Sequence, residues 1–246
     1  MANRPVFIPR FNGSGLVDER PFEFRWAPGF SPTQKRKNIR ALHEKARESG
    51  LKRILEISSK SEEKVGRRLS AFSLRIELSG SSYPLESVYQ STKVFDRSGG
   101  PFPDIRERSP REAKAFIRAY RDEDVVGFEL EGRRYPLTPR TAFYDWLYIR
   151  SLAGHADWVE GNVRFDAFTD IEFNPRKQVN CQARAFAEFR SLLDRSELGK
   201  AADDFDHFAS LLPSEPTESP KARSLPLPFP ETPERGATHG TASRAT

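Results

Sequence analysis

Glu86, Tyr89, Gln90 and Lys93 fall at positions i, i+3, i+4 and i+7 of a segment whose pattern predicts a helix over about 85–95. One helix face would then carry a carboxylate, a phenol, an amide and an amine together. Such a set suits cleavage of a glycosidic bond, in which one group transfers a proton while the other holds charge or attacks the anomeric carbon. Leu85, Val88, Thr92 and Phe95 form the opposing apolar stripe. The polar face therefore has two readings, a solvated surface or the lining of a cleft. Other catalytic signatures are missing: there is no P-loop, no GxGxxG, no GxSxG and no HExxH, and two of the four histidines, His207 and His239, lie in or near the C-terminal tail. Cys181 is the single cysteine, which excludes an intrachain disulfide and a thiolate zinc cluster. The chemistry in prospect calls for no metal and no cofactor.

The elements that must position these residues are read from pattern. Phe22, Phe24 and Trp26 alternate with Glu23 and Arg25 as in a half-buried strand over 21–26, and Pro28 and Gly29 turn it. Ser31 followed by Pro32 opens a basic helix to about Ser49. Ile39, Leu42 and Ala46 mark its buried side, and Lys35, Arg36, Lys37 and Arg40 the other. A short buried strand is predicted over 53–57, then a turn through Ser58, Ser59, Lys60 and Ser61 into a brief helix at Glu62 and Glu63. Further helices are expected at about 110–121, 139–152, 156–165 and 180–197, with a hairpin of Val125 to Leu130 and Arg133 to Pro136 around Glu131 and Gly132. The fold class is α+β, mainly helical with a small sheet. Residues 1–50 read as a strand and helix extension packed on a core of residues 51–212. Residues 213–246, with seven prolines and Leu225, Leu227 and Phe229 as their apolar cluster, read as a disordered tail.

A length of 246 residues with 19 Phe, 6 Tyr and 3 Trp supports a packed core, and no run approaches a membrane span or a secretory signal. Soluble, cytoplasmic and not bound to membrane is the expectation. The net charge of +5 from 40 Lys and Arg against 35 Asp and Glu is a mild bias. It permits an anionic partner and suits an ordinary mixed-charge surface equally.

Five blocks occur in the order of a known family: Leu69 to Phe72; Glu86, Gln90 and Lys93; Ser109, Pro110, Ala113 and Lys114; Asp170 and Phe173; and Asn180, Ala183, Phe186 and Arg190. In this order and spacing the chain resembles the NADAR family, a group of ADP-ribose-processing enzymes and N-glycosidases, over about residues 52–195. The stretch from Trp26 through Pro28, Gly29, Phe30 and Ser31 to Gln34 and Lys35 resembles the branch paired with DNA ADP-ribosyltransferase toxins. Departures from the family pattern are Ser87 for His, Ala71 for Asn, Asn174 for Gly and Ala183 for Gly.

The resemblance implies a NADAR-like fold and a cleft in which Glu86 is the acid/base carboxylate and Lys93 the second catalytic group, a candidate Schiff-base former with the opened ribose. Lys93 would act as nucleophile only if desolvation or a cationic neighbour lowered its pKa; an ion pair with Glu86 or a ligand phosphate is its other reading. Asp170 would orient the ribose or the attacking water, with Phe173 in place of the family's Trp as a stacking surface. Tyr89 and Gln90 join them on the substrate side. Asn180 would cap the following helix and could reach substrate. Phe72 stacks on a base or belongs to the core. Ser58, Ser59 and Lys60 either hold a diphosphate or form a capping box. Trp146 or Phe143 matches the family's helical Trp.

The function implied is an antitoxin that hydrolyses ADP-ribose from guanine bases of DNA, its partners being ADP-ribosylated DNA and, functionally, a DNA ADP-ribosyltransferase toxin. Lys35 and Lys37 are the candidate DNA contacts. The rivals are an N-glycosidase acting on phosphorylated ribosylamines of the riboflavin pathway, an activity the wider family resembles, and a non-catalytic module binding ADP-ribose or the toxin.

Overall fold

In the computed structural model of the protein, residues 1–213 are described. The expected disordered tail thus lies, apart from Pro213, outside the described residues. The alternation of β1 (Ala2–Pro9) sends Val6 to one face and Phe7 to the other, and both are fully buried. β1 pairs antiparallel with β2 (Val17–Phe24), Pro5 opposite Pro21. Its other side meets β9 (Ala167–Thr169) through Phe7 and Phe168, and β9 runs parallel to β3 (Ile54–Glu56), giving the order β2-β1-β9-β3. The strand expected at 21–26 therefore begins earlier and stops before Trp26.

On one face of this sheet lies α1 (Pro32–Glu48), whose Ile39, Leu42 and Ala46 pack with Val6, Phe24, Ile54 and Ala167. Ser31 caps it by accepting from the Gln34 amide, as its sequence predicts. Buried Asn38 clamps the chain that leads into the helix: its Oδ1 accepts from the Ala27 amide at 2.7 Å and its Nδ2 donates to the Ala27 carbonyl at 2.9 Å. Phe7, Leu55 and Phe168 face the larger core on the other side. It includes residues of α5 (Ala142–Ala153) and α7 (Gln182–Asp194), with α8 (Leu198–Asp203) and α9 (Phe205–Ser210) contributing Ala201, Ala202, Phe205 and Phe208.

Between the strands of the sheet come α2 (Lys64–Arg68), the hairpin β4 (Arg75–Leu78) and β5 (Ser81–Pro84), and α3 (Leu85–Ser91). β6 (Lys93–Phe95), α4 (Pro110–Ile117), β7 (Val125–Leu130) and β8 (Arg133–Tyr135) follow, then α6 (Ala156–Asn162) after α5. The β7-β8 turn has positive φ at Glu131 and Gly132, the geometry a two-residue hairpin needs. Ser109 and Glu112 form a capping box at α4. The class is α+β. Helix makes up 41% and strand 20%, with three sheets among the described residues, so a mainly helical fold with one small sheet is not what forms. No helix among these residues is long and apolar enough to cross a membrane.

The Asn38 clamp generates a stability prediction. Asn38→Ala leaves the half-buried Ala27 amide and carbonyl without their Asn38 partner and should cost about 1 kcal/mol, seen as a lower urea midpoint with unchanged m-value. An unaltered midpoint would show that the clamp contributes nothing.

Candidate active site

All seven residues of α3 are buried, so its polar face is not a solvated stripe. The helix also ends sooner than its apolar pattern predicts. Ser91 Oγ donates to the Val88 carbonyl and Thr92 Oγ1 to the Tyr89 carbonyl, bonds that compete with further helix. Lys93 then opens β6, opposite Phe128, and does not share a helix face with Glu86. A side chain at Gly100 would collide with the Lys93 carbonyl, so this loop must pass bare against the strand.

The strand nevertheless returns the amine to the carboxylate. Lys93 Nζ lies 5.2 Å from the centre of the Tyr89 ring. Burial lowers the Lys93 pKa to about 8, the Glu86 charge opposing this and the Lys114 charge adding to it. Glu86 Oε1 accepts from Gln90 Nε2 at 2.8 Å and is 2.9 Å from Lys114 Nζ. Gln90 is thus a brace for Glu86, a role fixed by their i, i+4 spacing on α3. Lys114, projected from α4 beside buried Ala113 and Ile117, also stands 4.3 Å over the Phe72 ring. Its position next to those two apolar residues was the available signal that this lysine is turned inward.

The opposite wall grows from the ends of the parallel strands. Glu56, fully buried at the end of β3, accepts from Ser58 Oγ (2.6 Å), the Ile171 amide (2.9 Å) and Thr169 Oγ1 (2.7 Å). Thr169 is in turn 2.8 Å from His43 Nε2 of α1, and burial holds that imidazole neutral with a pKa of about 4. Ser58 accepts from the Lys60 amide, which closes the turn. α2 begins at Lys64 with Glu63 as its N-cap, so Ser58, Ser59 and Lys60 are not its capping box. They form a separate turn, and at its two ends Gly66 packs on the Glu56 carbonyl and on Ser61 too closely for any side chain. Just past β9, Asp170 accepts from Gln182 Nε2 at 3.0 Å, while Gln182 Oε1 accepts from the Ala71 amide at 2.8 Å. Asn180 does not cap α7, whose N-cap is Cys181; its Nδ2 donates to the Tyr89 hydroxyl at 2.7 Å.

These two walls enclose a cavity of about 460 Å³, within the range of small-molecule sites. Among its lining residues are Glu86, Lys93, Asp170, Tyr89, Asn180, Phe72 and the turn Ser58, Ser59 and Lys60. Phe72 is half exposed and so not a core residue. Trp146 and Phe173 do not line it. Trp146 donates its indole N–H to the Ala202 carbonyl and packs with Tyr135, Phe143 and Phe205, while Phe173 packs on Phe7. Tyr144 lines the cavity from α5 instead, and Glu172 from the loop after Asp170. Lys35 is 3.0 Å from Glu172 and stands 5.8 Å from the centre of the Trp26 ring. Lys37 is exposed.

The family model for DarT1-associated NADAR antitoxins matches residues 2–222. The chain belongs to that family. Membership supports an antitoxin role paired with a DarT1 toxin. No curated protein matches the chain. As a NADAR protein it departs from the motif at places the geometry accounts for. Ser87, in place of His, donates to the Arg108 carbonyl at 2.7 Å and does not line the cavity. Ala71 offers its backbone amide to Gln182 where the family pattern has an Asn side chain.

Glu56 and Asp170 contribute to the pH response of this NADAR fold. Burial raises both carboxyls well above their ordinary values, and the Asp170 charge raises Glu56 further. A carboxyl whose folded pKa is raised stabilises the fold in acid and loses that contribution as pH climbs through neutrality. The urea midpoint should therefore fall from weakly acidic to mildly alkaline pH, and Glu56→Gln, which mimics the protonated acid, should flatten the fall. An equally steep decline in the variant would remove Glu56 as its source.

Proposed function

We propose that the protein is a hydrolase that removes ADP-ribose from guanine bases of DNA, countering a DNA ADP-ribosyltransferase toxin, by cleaving the bond between ribose C1 and the exocyclic amino nitrogen. The observation that carries this reading is the buried Lys93 amine, lowered to about 8, in one cavity with Glu86, in a chain of the DarT1-associated antitoxin family. At such a pKa a useful fraction of the amine is neutral near physiological pH and nucleophilic.

In the proposed reaction Lys93 Nζ bonds to C1 of the opened ribose as the bond from C1 to the guanine nitrogen breaks. The departing nitrogen takes a proton relayed by Glu86, which Gln90 and Lys114 hold in place. Water then adds at C1 and Lys93 is released, so one water is consumed and guanine and ADP-ribose are the products. Asp170, fixed by Gln182, orients the ribose or that water. The Ser58 to Lys60 turn supplies the exposed Ser59 and the Lys60 cation to the diphosphate, Ser58 being engaged with Glu56 and the Lys60 amide. Phe72, at the half-exposed margin, offers a face to the base. Asn180 and Tyr89, bonded to each other, border the same space. Exposed Arg36 and Lys37 on α1 extend phosphate contacts outside the cavity.

Mass-spectrometric release of ADP-ribose from guanine-modified single-stranded DNA, with thymine-modified DNA as control, tests this. Glu86→Gln and Lys93→Ala should each lower the rate by about 10² to 10⁴ fold, and the wild-type rate should rise with pH through about 8. Borohydride should trap ADP-ribose on Lys93. No release by the wild type would overturn the hydrolase reading; full activity without an adduct in Lys93→Ala would move the attack to Glu86 or water.

A further inference from the structure

A second concavity, of about 340 Å³, lies outside the active-site cavity and is lined by residues of β1 and β2 and by Asn174, Pro175 and Arg176. One loop serves both spaces. Asp170, Glu172 and Gln178 to Asn180 face the cavity, whereas 174–176 face the groove. Two guanidiniums stand in the groove, those of Arg4 and Arg176, with the carboxylate of Glu19 among the described lining residues.

The two guanidiniums are only partly compensated. Arg176 is exposed and has no ion pair among the described residues; burial lowers the proton affinity of Arg4, the Asp170 charge opposes this, and the Arg176 charge adds to it. Arg4 Nη1 donates to the Asn3 carbonyl at 2.9 Å, yet its buried Nε has no partner. The side chain is held by stacking 5.3 Å over Trp26, so the fork is fixed before anything binds. Asn174 accepts from the Arg176 amide through its side chain, which shapes the loop at the groove. Like charges held together with donors unused are relieved by an anion, and a planar fork matches the oxygens of a phosphodiester.

We propose that this groove carries the sugar-phosphate backbone of single-stranded DNA next to the base being processed, Arg4 and Arg176 each contacting a phosphate. This rests on the hydrolase reading for its choice of polymer. The cavity holds a nucleotide-sized group, and a strand whose base enters it crosses the loop from Glu172 to Arg176, over the ion pair of Lys35 with Glu172. The contacts read no sequence.

The test is binding of an unmodified, fluorescently labelled oligo-dT strand by the full chain, measured by anisotropy over a range of KCl. Because this strand carries no ADP-ribose, the result is independent of whether the protein hydrolyses anything. Arg176→Ala, on an exposed loop, should weaken binding and reduce the slope of log K against log salt by about 0.7. Arg176→Glu should weaken it more, while Lys200→Ala on α8 should leave the slope unchanged. Arg4→Ala should act like Arg176→Ala, and Arg4→Lys should restore part of the slope. The proposal is overturned if the wild type does not bind the strand, if both arginine variants keep the wild-type slope, or if inorganic phosphate at millimolar concentration displaces wild type and Arg176→Ala alike.

Discussion

The parallel pairing of β3 with β9 is the constraint on which the site depends. Ile54, Leu55 and Glu56 lie beside Ala167, Phe168 and Thr169, so the chain leaves both strands at the same end of the sheet. That places the Ser58 turn and the Asp170 loop side by side, at the carboxyl ends of parallel strands, where open sheets commonly hold their ligands. Nothing polar need be exposed for this. Glu56 and Thr169 use the pairing itself to bind each other and to fix the two loops through Ser58 and the Ile171 amide. Phe168 anchors the strand in the core against Phe186 of α7.

The second wall answers a different requirement, the burial of charge. Two ammonium groups and a carboxylate, Lys93, Lys114 and Glu86, come from three separate elements and share one low-dielectric space. Lys114 close to Glu86 offsets part of the cost of burying either one. The lowered pKa of Lys93 comes first from its own burial, which the Glu86 charge opposes and the Lys114 charge assists. The His43 to Glu56 chain does a comparable job on the far wall with hydrogen bonds in place of charges.

Local chemistry was legible in the sequence, and long-range chemistry was not. The Ser31 and Pro32 start of α1, the Ser109 block and the Glu131-Gly132 turn depend on neighbours within a few residues, and all form where their patterns place them. β1 escaped notice because it carries Pro5 and Pro9 and is held by Phe168, a residue remote in the chain. The early end of α3 was hidden by an apolar stripe that continues through Thr92 and Phe95 regardless of backbone. Glu86, Lys93, Asp170 and the Ser58 turn were linked by family resemblance, since no spacing rule joins four segments so far apart. Trp146 and Phe173 show the converse: an aromatic matching a motif still packs into whatever core its own element faces.

The place of β1 in the sheet bears on how the molecule comes into being. As the strand between β2 and β9, it finds one partner at once, through a short connection, and must wait for the other until residue 168 has been made. Contacts of such sequence separation slow folding because loop closure precedes their reward. The hairpin of β1 and β2 can form early during synthesis, whereas the loop carrying Asp170 is fixed only when nearly the whole catalytic region has emerged. Competence of the cavity is thus a late event of chain assembly, and the arginine of β1 is in place well before the arginine of the loop it faces.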